Sequence, residues 1–218
     1  MPIPDPQALY TRRLGQYVSF VSTFRHQPGL RALLARSEVL RGSLRVLDAG
    51  CGTGFATFAL LEALQERGLL AAQIDAFDLT PAMLSDFEAR RSARHLDRIE
   101  LRQADVLRPA TIPAAWTGYD LIISVSMLEY VPRAALPEAL ATLLARLAPG
   151  GQLLVVITRR NPLTWLLIEQ WWHAQRYTRR DLLAAVATAG GAPPRFVAYP
   201  LHVGWLNLSN HAFVTGLP

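Results

Sequence analysis

The stretch Val46-Leu47-Asp48-Ala49-Gly50-Cys51-Gly52-Thr53-Gly54 constrains the fold more than any other part of the chain. A short apolar run, Leu44 to Leu47, ends at a carboxylate and passes into Gly-x-Gly-x-Gly. An apolar periodic stretch from Phe55 to Gln65 follows. This reads as a strand, a tight glycine turn and a helix. Glycine takes positive φ and lets a ligand approach the backbone closely. The start of the helix offers unpaired N–H groups.

The same alternation continues down the chain, as a doubly wound α/β sheet requires. Gln73 to Phe77 reads as a second strand ending at Asp78, and Thr80-Pro81 opens a helix with proline at its first position. Ile99 to Gln103 is a short third strand, followed by Ala104-Asp105-Val106. Tyr119 to Val125 is a continuous apolar run, the pattern of a strand buried on both faces. Pro132 to Leu147 reads as a helix with Leu136, Leu140, Leu143 and Leu147 on one face. Pro149-Gly150-Gly151 stops it and turns into a fifth strand, Gln152 to Thr158. Thr178 to Asp181 resembles a capping box for a helix ending at Gly190-Gly191. Arg195 to Tyr199 and His211 to Val214 are the last strand candidates. Ahead of the repeat, Asp5-Pro6 opens a helix carrying Tyr10, Leu14, Tyr17, Val18, Val21 and Phe24. Pro28-Gly29 breaks it, and a second helix runs to about Leu40.

The 218 residues suit one domain spanning 1–218. A hydrophobic fraction of 51% against 18% charged residues marks a globular chain. The net charge of +5 is carried by arginine alone, scattered without a run, so it is no strong nucleic-acid signal. Cys51 is the only cysteine, which excludes an intramolecular disulfide and a cysteine metal cluster. No His/Asp cluster supports a metal. The N-terminus lacks an apolar signal region and no stretch is long enough to span a bilayer, so a cytoplasmic protein is the default expectation.

Ligands of open α/β sheets sit beyond the carboxyl ends of the strands, and an adenine-containing cofactor is the usual occupant of such a glycine turn. A dinucleotide fingerprint wants Gly-x-Gly-x-x-Gly. Here Phe55 stands at its third glycine position, and Gly54 comes one residue early. Val46 to Gly54 instead resembles motif I of the class I S-adenosylmethionine-dependent methyltransferases. Asp78-Leu79-Thr80-Pro81-Ala82-Met83-Leu84 resembles that family's segment after strand 2, and Asp105-Val106 its adenine-reading pair. Met127-Leu128-Glu129 resembles its segment after strand 4, with Tyr130 where histidine is common. The pattern is most similar to small-molecule methyltransferases of the ubiquinone and menaquinone type.

The resemblance implies a seven-stranded, mostly parallel sheet in the order 3-2-1-4-5-7-6, with strand 7 antiparallel. It implies S-adenosyl-L-methionine as cofactor, held by Asp48, Gly50, Cys51, Gly52, Gly54, Asp78, Leu79, Met83, Asp105, Val106, Ser124 and Met127. It also implies that the helical segment 1–41 covers the cleft. Core packing is the equal alternative for that segment.

Methyl transfer needs position and a water-poor site, and a neutral acceptor also needs a base. Glu129 and His173 are the candidate catalytic residues. The stretch 159–176 is a helical insert over the cleft, with Leu163, Leu167, Ile168, Trp171 and Trp172 on one broad arc and Trp165 a third tryptophan on the same segment. Tyr17, Phe20, His26, Trp165 and Trp172 are therefore candidate substrate contacts, suited to an apolar or aromatic small molecule. Core packing and an interfacial membrane contact are the other readings of the same arc. An RNA or protein methyltransferase, and a non-catalytic cofactor-binding partner subunit, are the functional alternatives.

Overall fold

The computed structural model describes residues 26–164 and 174–218. Its centre is a seven-stranded sheet in the order β3-β2-β1-β4-β5-β7-β6. The strands are β1 Leu44–Ala49, β2 Ala71–Asp78, β3 Ile99–Gln103, β4 Tyr119–Val125, β5 Leu147–Thr158, β6 Arg195–Val197 and β7 Asn210–Thr215. β1 to β5 pair in parallel, and β7 runs antiparallel to both β5 and β6. The order matches the one the resemblance implied.

Alternate residues of the central strands feed two cores, because side chains along a strand point to opposite faces. Leu121, Ile123, Leu154 and Val156 join one face with helix α1 (His26–Ala35) and helix α2 (Phe55–Glu66). Ile122, Leu153, Val155 and Ile157 join the other, with α4 (Leu136–Leu144) and α5 (Arg179–Thr188). Helix α3 (Pro81–Ala93) completes the first face by placing Phe87 in that core. The Thr178–Asp181 capping box at the start of α5 is present in both directions.

Three sequence expectations change. Pro28-Gly29 does not break a helix but lies in the first turn of α1, where the proline's missing N–H is no loss. Leu147 belongs to β5, with α4 ending at Leu144. Pro149-Gly150-Gly151 is not a turn ahead of the strand. Tyr119 pairs with Leu147 and Leu121 with Gln152, so this tripeptide sits in an irregularity inside β5. Glycine is required there, since a Cβ at Gly151 would lie 2.4 Å from the Tyr119 carbonyl oxygen.

The described part of the expected N-terminal cover packs into the core. α1 buries Leu30, Leu33 and Leu34, and lies along α2 through Gln27–Glu62 and Arg31–Glu66 contacts of 2.8 Å each. Residues 1–25 and the stretch 165–173, which carry Tyr17, Phe20, Trp165, Trp172 and His173, lie outside the described residues.

Candidate functional site

The strand order reverses between β1 and β4, and a crevice opens there at the carboxyl ends of the strands. It is a cavity of ≈ 320 Å³. Gly50, Gly52, Asp78, Leu79, Met83, Asp105, Val106 and Met127, all expected from the sequence, line it. Phe77, Thr80, Ala104, Leu107, Val125, Ser126, Tyr130, Val131 and Pro132 line it as well and were not singled out as binding residues. Most of these directly flank the expected ones, so strand-end position was the usable signal. Ser126, between the end of β4 and Met127, takes φ 55°, a left-handed conformation uncommon for a serine.

The glycine turn is built against the end of β2. The amides of Gly50 and Cys51 both donate to the Phe77 carbonyl at 2.9 Å, and the Gly52 amide donates to Asp78 Oδ2 at 2.9 Å. Gly54 N–H donates to the Cys51 carbonyl. The amides of Gly50, Cys51, Gly52 and Gly54 are thus already used within the protein, unlike a loop whose free N–H groups cradle phosphates. A Cβ on Gly50 would lie 2.2 Å from Met127 Cγ, and one on Gly54 would lie 2.5 Å from the Phe87 ring. Both glycines also have positive φ.

A buried carboxyl group, Asp48, and a half-buried one, Asp78, meet at this turn. Asp48 accepts from the Thr57 hydroxyl at 2.5 Å, and its Oδ1 has no hydrogen-bond partner among the described residues. Burial lifts its pKa to about 7; the Thr57 bonds pull it down, and nearby Asp78 pushes it up. Asp78 accepts from Thr80 N–H at 2.8 Å in addition to Gly52. Its pKa is also raised by burial, against those amide bonds. Among the described residues no arginine forms an ion pair with either carboxyl group.

The remaining expected cofactor residues lie behind the wall. Asp48, Cys51, Gly54 and Ser124 are buried and do not line the cavity. The Cys51 thiol is buried and its pKa pushed well up, chiefly by that burial, so it is a neutral packing group. Ser124 Oγ is buried without a partner. Asp105 uses one carboxyl oxygen to accept the Leu107 amide at 2.9 Å.

Glu129 requires a correction. It was expected to face the reacting centre, yet its side chain turns into the protein and is absent from the cavity lining. Oε2 accepts the Thr158 amide at 2.8 Å, and Oε1 pairs with the Thr158 hydroxyl at 2.9 Å. Burial lifts its pKa to about 7 against these bonds. His26 stands edge-on to Trp205, ring centroids 6.1 Å apart, and is not among the residues lining this cavity.

The insert begins and ends beside the site. Arg160 N–H donates to the Tyr177 carbonyl at 2.8 Å, tying its two ends together. Just before Tyr177, the Gln175 amide donates to the Glu129 carbonyl, and Gln175 Nε2 to the Val131 carbonyl, each at 2.8 Å. Among the described residues no group of His, Cys, Asp and Glu could hold a metal ion. No helix among them is long and apolar enough to cross a membrane.

A doubly wound sheet with one ligand crevice at its switch point, carboxylates at the ends of β1 and β2, and a glycine turn between them defines a cofactor-binding α/β domain. Residues 46–151 match the family model described as a methyltransferase domain. This match, the similar proteins and the fold together indicate a class I S-adenosylmethionine-dependent methyltransferase. It is 29% identical over 143 residues to squalestatin tetraketide synthase clz2 of Cochliobolus lunatus, covering 62% of this chain and 6% of that protein. It is 30% identical over 157 residues to the malonyl-[acyl-carrier protein] O-methyltransferase of Enterobacter lignolyticus, covering 70% of this chain and 55% of that one. Its fold is similar to that of mitomycin 7-O-methyltransferase MmcR, with a TM-score of 0.70 at 18% identity, covering 88% of this chain and 54% of that chain. The chain thus spans only part of the length of these relatives.

Proposed function

We propose that this protein transfers a methyl group from S-adenosylmethionine to a small, apolar or aromatic organic molecule. The observation that carries the proposal is the graded cavity. One end has the half-buried Asp78 carboxyl in its lining, with the fully buried Asp48 carboxyl close enough to Asp78 to feel its charge. The rest is lined by apolar groups such as Phe77, Met83, Ala104, Val106 and Leu107. A ligand with cationic centres at one end and a flat base at the other complements both. Engagement of the Gly50, Cys51, Gly52 and Gly54 amides within the protein argues against a pyrophosphate on the turn, and so against a dinucleotide.

In this reading Asp48, Asp78 and the Gly50–Gly54 turn hold the amino-acid and ribose end. Met83, Asp105 and Val106 hold the base, and Met127 and Tyr130 border the transferred methyl. The cofactor, when bound, supplies an electrophilic methyl on a sulfonium. The chain's own residues orient it and exclude water, and orientation alone can supply about 7–11 kcal/mol. His173 is the proposed base where the acceptor needs one. Tyr17, Phe20, Trp165 and Trp172 are the proposed substrate contacts. The setting is taken as cytoplasmic, in keeping with Cys51 as a free buried thiol.

Titration calorimetry with S-adenosylmethionine, S-adenosylhomocysteine and NAD tests this directly. The first two should bind and NAD should not; heat from NAD alone would overturn the reading. Trp165→Ala and Trp172→Ala test the substrate wall. Each should alter substrate preference while costing less stability than the about 3–5 kcal/mol of a truncated core aromatic.

A further inference from the structure

Met127, Tyr130, Val131 and Pro132 form one wall of the cavity, yet the segment has little internal support. Its only regular structure is a single 3-10 turn, Leu128–Tyr130, closed by bonds of 2.9 Å to the Met127 carbonyl and 3.3 Å to the Leu128 carbonyl. It leaves β4 through Ser126, whose φ of 55° is costly for a residue with a Cβ. Such a conformation persists only where the surroundings over-determine it.

Glu129 supplies that constraint from within the wall. Its two carboxyl oxygens meet the amide and hydroxyl of one residue, Thr158, at the end of β5. On the other side of the turn, Gln175 donates to the carbonyls of Glu129 and Val131. Burying a carboxyl group is expensive, and an apolar side chain would fill the same volume at lower cost. What an apolar side chain cannot do is fix the turn at a set distance from β5 through two directed bonds.

We infer that Glu129 is a positioning residue: clamped to Thr158, it holds the Met127–Pro132 wall in the shape that receives the cofactor. It does not touch the cavity and abstracts no proton from a substrate. The inference rests on the proposed function only in taking this cavity as the cofactor site.

Three variants test it. Glu129→Gln keeps both bonds, with its amide oxygen accepting the Thr158 N–H and its amide nitrogen donating to the Thr158 hydroxyl. Glu129→Ala removes both, and Thr158→Val removes one while keeping the side-chain volume. Affinity for S-adenosylhomocysteine is measured by calorimetry on variants shown by melting to be folded. Glu129→Gln should bind within about twofold of wild type, Thr158→Val more weakly, and Glu129→Ala about tenfold more weakly or worse, the loss expected from unpaired buried donors. Amide hydrogen exchange over 127–132, read without ligand, should quicken in Glu129→Ala and Thr158→Val but not in Glu129→Gln. Wild-type affinity and wild-type exchange in folded Glu129→Ala would overturn the inference, as would the same result in Thr158→Val if Glu129→Ala does not fold. Failure of the wild-type protein to bind the ligand would instead sink the cofactor reading, and the exchange comparison would still judge the clamp.

Discussion

Asp78 Oδ2 accepts the Gly52 amide at 2.9 Å, so the carboxylate that ends β2 sets the path of the glycine turn that follows β1. Its other oxygen takes the Thr80 amide at the start of α3. One side chain therefore fastens two strand ends while bordering the cavity. Asp78→Ala loses charge-assisted bonds worth about 1.5–3 kcal/mol each. Cofactor affinity should fall by at least about tenfold. Asp78→Asn should fall between, because one amide arm keeps an acceptor while the other presents N–H groups to a donor. Unchanged calorimetric affinity in Asp78→Ala would remove this residue from the site.

Asp48 should couple cofactor binding to pH. Burial lifts its pKa to about 7 in the free protein, and a bound cation favours the ionised form. Binding near pH 6 should therefore release a proton, and affinity should rise with pH and level off above about 8. Calorimetry at pH 6 in two buffers of different ionisation enthalpy should give different heats, and at pH 8.5 the same heat. Asp48→Asn should show no buffer dependence. Identical heats in the wild-type protein at pH 6 would refute the coupling.

Glu129 should make the protein less stable as pH rises through the weakly acid range. Its folded pKa, about 7, lies above the ordinary carboxylate value of 4.5. Between those values the folded chain holds a proton that the unfolded chain has released, so stability falls with rising pH and levels off above 7. Asp48 adds a second contribution of the same sign. Each contributes at most about 1.4 kcal/mol per pH unit within the window. Urea denaturation from pH 4.5 to 8 should show a shallower decline in Glu129→Gln than in the wild-type protein. Parallel curves would mean that Glu129 does not titrate there.

Tyr119 offers a control at the opposite end of the sheet. Its hydroxyl donates to Asp75 Oδ2 at 2.7 Å, Arg45 approaches the same oxygen at 3.5 Å, and the Arg45 guanidinium stacks 4.9 Å from the Tyr119 ring. Tyr119→Phe leaves a buried carboxylate short of one donor and should cost about 1–3 kcal/mol of stability. Cofactor affinity, measured below the melting transition, should not change, since Arg45 and Tyr119 sit at the amino ends of β1 and β4, and neither they nor Asp75 line the cavity. A variant that melts like wild type but binds the cofactor poorly would contradict this division of labour.

Local order determined much of what could be read from the sequence alone. The strand–turn–helix at Leu44–Glu66, the carboxylates ending β1 and β2, and the capping box at Thr178 all depend on neighbours a few residues apart. Periodicity and turn chemistry report such neighbours directly. The strand order came from the resemblance of motifs, because no local pattern states which strand lies beside which. Only the tertiary structure decided where Glu129 points, since its partner Thr158 is 29 residues away. Only the tertiary structure turned Pro149-Gly150-Gly151 into an irregularity within β5, because the register of β4 against β5 sets where the extra residues go. It also spent the glycine turn's amides on Phe77 and Asp78, across β2. A side chain's periodicity tells which face it occupies, but its hydrogen-bond partner is chosen by burial against distant segments, where every polar group must be paired.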